Sequence, residues 1–191
     1  MRAIRSDLAR RIRAGLVFFT VLVAALAATA TPAQAFPQPR FSAPVNGGYF
    51  YFSNTLVGWD GCMDVRGGGS TSADGTAVQL WQCRVEWNQQ FQTVRIGTVN
   101  GVDAWRLKPR YALSKCVRVK DAGHSVDIEI ATCNSYDWEQ MFQIEHVGGR
   151  GYRVRPVFNH WCLGPTFLGN GARIIMHPCN GDPIHIWRLS Y

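Results

Sequence analysis

The chain reads as an all-β protein built from three copies of one unit. Three observations predict this. A cysteine, a gap of about twenty residues, a second cysteine and a polar-x-aromatic triplet recur three times, with copies starting at Cys62, Cys116 and Cys162. Short runs alternating apolar and polar residues lie between clusters of Gly, Pro, Asn and Asp, as half-buried strands do. No segment beyond residue 35 reads as a helix. The copies start 54 and 46 residues apart, and a period near fifty marks units that share a core.

The first 35 residues stand apart. Arg2, Arg5, Arg10, Arg11 and Arg13 precede a mostly apolar stretch from Gly15 to Ala30, and Ala33-Gln34-Ala35 then offers a small-x-small cleavage site before Phe36. The apolar stretch is shorter than the roughly 20 residues a bilayer-spanning helix needs. Residues 1–35 are therefore expected to be a signal peptide, leaving a secreted mature chain of residues 36–191 with no membrane insertion. Removing five arginines and Asp7 lowers the formal charge from +7 to +3. With no dense Lys/Arg run left, a nucleic-acid partner is not expected.

Residues 36–46 hold Pro37, Pro39 and Pro44 and read as an extended lead-in. Tyr49 to Asn54 is aromatic-rich. Ala104 to Pro109 and Tyr152 to Pro156 alternate apolar with basic residues and stop at proline. The repeats are placed at about residues 47–100, 101–148 and 149–191. Their triplets are Gln89-Gln90-Phe91, Gln140-Met141-Phe142 and His185-Ile186-Trp187.

Alternation assigns faces, because side chains at i and i+2 of a strand share one. Val78 and Leu80 point inward, as do Ile128 and Ile130, and Ile174 and Met176. Gln79 and Trp81, Glu129 and Ala131, and Ile175 and His177 then point out. Met63 and Val65 flank an outward Asp64; Val117 and Val119 flank Arg118. The inner positions agree among copies and the outer ones do not. That is the pattern of a shared core with a site in only some repeats.

Six cysteines in an exported chain favour disulfides. The repeat selects Cys62–Cys83, Cys116–Cys133 and Cys162–Cys179 from fifteen connectivities. Each bridge is expected to contribute about 3 kcal/mol. With no C-x-x-C and no ligand spacing among the histidines, neither a metal nor another cofactor is expected.

Three spaced Gln-x-aromatic triplets with cysteine pairs in register resemble the ricin B-type lectin (Gln-x-Trp repeat) family, in its secreted, bacterial-type, single-domain form. The likeness runs over residues 47–191. It implies a β-trefoil of three disulfide-stapled repeats whose triplet aromatics pack in the core. It also implies that an Asp after the first cysteine and an Asn before the triplet glutamine hold a sugar. An aromatic stacks on the ring, and a Gln two residues earlier adds a polar contact. The first repeat matches throughout, with Asp64, Gln79, Trp81, Asn88 and Gln89. The second has Arg118, Glu129, Ala131 and Glu139 at the first four of these positions. The third has Gly164, Ile175, His177 and Ile184. One competent site is implied, in the first repeat.

The chemistry agrees. A sugar offers an apolar C–H face for an aromatic and hydroxyls for fixed donors and acceptors. The Asp64 carboxylate is expected to accept from two hydroxyls, and Asp64→Ala to weaken binding roughly ten- to hundredfold with little loss of stability. The Gly67 to Gly75 turn is expected to curl over the ligand. Arg118 is expected to pair with Glu139, and Trp59, Trp87 and Trp138 to cover the core.

No catalytic motif of the Gly-x-Ser-x-Gly or His-Glu-x-x-His kind occurs, so an enzyme is not expected. The resemblance implies galactose-like glycans first and xylan-like polysaccharide second, bound with affinity on the order of millimolar. The competing reading is a protein-binding trefoil, such as a protease inhibitor or the targeting subunit of a secreted toxin, with a protein partner.

Overall fold

The computed structural model describes residues 43–54, 56, 60–69, 72–120 and 126–191. The signal-peptide expectation, Trp59 and most of the lead-in lie outside them. The described chain forms twelve strands: β1 (Tyr49–Asn54), β2 (Gly61–Val65), β3 (Thr76–Gln82), β4 (Gln90–Val99), β5 (Val102–Pro109), β6 (Lys115–Val119), β7 (Ile128–Thr132), β8 (Phe142–His146), β9 (Tyr152–Pro156), β10 (Trp161–Pro165), β11 (Ala172–Pro178) and β12 (Arg188–Ser190). Among the described residues the helical segments are single 3₁₀ turns, including Trp87–Gln89, Trp138–Gln140 and Pro183–His185. None is long and apolar enough to cross a membrane.

Strand pairing gives two layers. The first and fourth strands of each repeat close a ring: β1 with β4, β4 with β5, β5 with β8 and β8 with β9. A Tyr152–Trp187 bridge and the β1–β12 pair complete it. The middle strands form three hairpins, β2–β3, β6–β7 and β10–β11. These join each other through β3–β7, β3–β11 and an Asp127–Ile175 bridge. Closing the ring leaves those strands no free edge.

The core lies between the layers and repeats threefold. Val78, Ile128 and Ile174 are buried, as are Leu80, Ile130 and Met176. Phe91, Phe142 and Trp187 are all 0% exposed. A buried indole N–H needs an acceptor, and Trp187 Nε1 donates to the Leu163 carbonyl at 2.9 Å. The cysteines join as Cys62–Cys83, Cys116–Cys133 and Cys162–Cys179, with Cα separations of 4.9, 5.0 and 5.2 Å. Each bridge ties the start of a hairpin to its end.

Two expectations about tryptophans change. Trp87 is exposed, with the Arg110 guanidinium 5.2 Å from its ring centre, so it does not cover the core. Trp138 is half exposed and meets Phe158 edge-on at 4.7 Å. Both begin 3₁₀ turns that end on a buried glutamine, Gln89 or Gln140, which leaves the indoles outside.

Candidate carbohydrate site

Register assembles the candidate site. In the β2–β3 hairpin Asp64 lies directly across from Gln79, and Cys62 across from Trp81. Opposed side chains on one face of an antiparallel pair touch. Gln79 Nε2 therefore donates to Asp64 Oδ1 at 2.9 Å. The 3₁₀ turn Trp87–Gln89 brings up two more amides: Asn88 Nδ2 and Gln89 Nε2 donate to Asp64 Oδ2 at 2.8 and 3.0 Å. All five predicted residues gather around one carboxylate, but they do not share one role.

Gln89 stands behind the site. Fully buried, its Nε2 also donates to the Gln82 carbonyl at 3.0 Å and its Oε1 accepts from the Arg84 amide at 2.6 Å. Those bonds clamp the chain on either side of Cys83. Gln140 does the same around Cys133, through the Thr132 carbonyl and the Asn134 amide at 2.9 Å each. Gln89 is thus a brace for Asp64 rather than a ligand contact.

Asp64 is outward by alternation yet only 3% exposed, because its own partners cover it. A carboxylate has about four lone-pair sites. Three are taken by amides, so one remains on Oδ1 for a ligand, not the two expected. A second acceptor comes from Asn88. Its Nδ2 is spent on Asp64 and on the Val65 carbonyl, while its Oδ1 is buried without a partner. The cradle therefore asks for a ligand that donates. Burial pushes the Asp64 carboxyl above its ordinary value, against the three amide bonds that pull it down. The same packing, with the Asp64 charge adding to it, holds the neighbouring Tyr111 hydroxyl protonated, pushed up to about 12.

The expected cheapness of Asp64→Ala is corrected by this geometry. Removing the carboxylate strands three buried amide donors, each costing about 1–3 kcal/mol when left unsatisfied.

A cleft of about 500 Å³ opens over these groups, lined by Asp64, Gln79, Asn88 and the partly exposed Trp81. Gly67 and Gly68 form its lip, with φ of 99° and 63°. Consecutive residues in that region favour glycine. Arg66, Arg84, Glu86 and Gly171 also line it, and sequence reasoning missed them. Arg66 was findable, since it shares a face with Asp64. Gly171 was not: it belongs to the third repeat and arrives through the β3–β11 pairing.

Comparisons with known proteins follow the same lines. The chain matches no family model. It is 33% identical to Nigrin b of Sambucus nigra over 94 residues, 46% of this chain and 14% of that protein's length. Among solved structures, the designed threefold-symmetric protein ThreeFoil aligns with TM-score 0.65 and 20% identity, over 75% of this chain and 98% of its own. The Macrolepiota procera ricin B-like lectin, solved in complex with lactose, aligns with TM-score 0.60 and 14% identity, over 78% and 99%. The fold is a β-trefoil.

In this trefoil the other two repeats lack the cradle, each in its own way. In the second, the cross-strand pair is Arg118 and Glu129. Arg118 Nη2 donates to Glu129 Oε1 at 2.6 Å, with Glu129 nearly buried. Register sets Glu129 opposite Arg118, and the Glu139 charge acts on the same guanidinium. Glu129 and Ala131, outward by alternation, are covered. In the third repeat the pair is Gly164 and Ile175. His185 fills the brace position and lies 5.0 Å from the His177 ring. A Cβ at Gly164 would come within 2.7 Å of His185 Cδ2, so glycine is required there. Burial, and then His177, lowers the His185 pKa. Among the described residues no group of three or more His, Cys, Asp or Glu is placed to hold a metal.

Proposed function

We propose that this protein is a secreted, non-enzymatic lectin that binds one sugar unit in the first-repeat cleft, with galactose-like glycans as its ligand. The observation that carries the reading is the pairing of Asp64 with Asn88. Two buried acceptors, one with an open lone pair and one with no hydrogen-bond partner, belong to residues that line an open cleft beside an indole. Adjacent ring hydroxyls would donate to both while the C–H face of the sugar lies on Trp81. The Asp64, Gln79, Trp81 and Asn88 set is absent from the other two repeats, so each chain has a single site and avidity requires several chains.

The reading is tested by a glycan array on the oxidised protein from Phe36 onward, beside Trp81→Ala. Galactoside signal that disappears in the variant supports it. Xylan signal alone would change the ligand and keep the site. Silence from a folded protein would favour the protein-binding reading.

A further inference from the structure

The cleft holds two guanidinium groups that the hydroxyl-binding cradle does not use, and they differ in kind. Arg84 is loosely paired, with its Nη1 3.8 Å from Glu86 Oε1 and both side chains half exposed. Such a pair fixes little and neutralises itself. Arg66 is anchored: its Nε donates to Gln79 Oε1 at 3.2 Å, and Gln79 in turn donates to Asp64. That single bond orients the planar group while its two terminal nitrogens have no protein partner among the described residues. The residue itself is exposed at the cleft wall. A guanidinium held by Nε presents its terminal edge as a fork that matches a carboxylate or sulfate.

We propose that the cleft selects a glycan bearing an anionic substituent, a uronate carboxylate or a sulfate ester, which the free edge of Arg66 receives while the hydroxyls go to Asp64 and Asn88. This rests on the carbohydrate reading above. The Gln79 amide bridges the two, accepting from Arg66 and donating to Asp64, so both contacts are directed to neighbouring groups of one glycan. The Asp64 charge opposes an anion, but it is already spread over three amide donors. Glu86 is opposed by Arg84. Arg66 is left as the cation that faces the ligand.

The test is calorimetry with a neutral galactoside, its sulfate ester and the matching galacturonide, at low and high salt. The anionic ligands are expected to bind roughly tenfold tighter than the neutral one at low salt, with the advantage shrinking as salt rises. Preference for only one anion identifies the source. In Arg66→Gln the anionic advantage is expected to vanish. Equal or weaker binding of the anions overturns the proposal and leaves the lectin reading intact. An equal loss for neutral and anionic ligands in Arg66→Gln also overturns it, by showing that Arg66 serves only to orient Gln79. If none of the three binds, the galactoside reading falls, and this proposal with it.

Discussion

Asn88 donates to Asp64 at 2.8 Å while its own Oδ1 is buried with no partner. A buried acceptor left without a donor costs about 1–3 kcal/mol, so this amide is held in a state that a ligand hydroxyl would relieve. The Asp64 carboxylate dictates that orientation. Its need for donors turns the Asn88 nitrogen toward Asp64 and leaves the oxygen without a donor.

Trp81 lines the cleft with its indole partly exposed, and in the proposed site it supplies contact area. Trp81→Ala is expected to weaken galactoside binding by roughly tenfold, about 1.4 kcal/mol, and to leave the melting temperature nearly unchanged. Titration calorimetry and thermal unfolding check the two halves separately. A variant that binds normally would remove the indole from the site.

Asp64→Ala is expected to destabilise the fold by at least ~2 kcal/mol as well as abolish binding. Urea unfolding measures the first effect. Retention of full stability would show that the three amides find other partners.

Binding should also be lost in acid. A hydroxyl donates well only to the ionised Asp64, whose carboxyl titrates above its ordinary 3.8 because of burial. Affinity is expected to fall as pH drops through that raised pKa, with a midpoint above 3.8. The stability effect has the opposite sign. With the folded pKa above the unfolded one, Asp64 favours the native state at low pH, and this contribution is lost as pH rises through the raised value. Loss of ligand in acid is therefore expected without unfolding driven by Asp64. Constant affinity from neutral pH down to 4 would contradict this.

Arg118→Ala is expected to cost about 1–3 kcal/mol of stability, because it leaves the nearly buried Glu129 without its cation. Glycan affinity should not change. A comparable loss of binding would place a working site in the second repeat.

His185 makes the fold sensitive to acid. Burial and the adjacent His177 hold its pKa below 6.5, with Arg153 pushing the same way and Asp182 opposing. The unfolded chain then binds the extra proton first. Stability is complete above 6.5 and falls as pH drops from there through the lowered value. His185→Gln restores the residue that Gln89 and Gln140 supply in the other repeats. It is expected to flatten the fall in melting temperature between pH 7 and pH 5.

Much of this was legible before any coordinates. The three inward pairs, Val78 and Leu80, Ile128 and Ile130, Ile174 and Met176, follow from alternation, because a strand has only two faces and a core accepts only apolar ones. The cysteine pairing followed from the repeat. Asp64, Gln79, Trp81 and Asn88 were implied as a group by the family resemblance, and hairpin register with the 3₁₀ turn places all four along one cleft. Which amide touches which oxygen was not local. Gln89 as a brace, the orphaned Asn88 oxygen, the Arg118–Glu129 pair and the exposure of Trp87 depend on rotamers chosen by neighbours in the folded chain. Gly171 reaches the cleft only because the hairpins pair with each other, its amide donating to the Leu80 carbonyl of the first repeat at 2.9 Å. Periodicity reports the direction in which a side chain leaves the backbone; what it meets there is settled by packing.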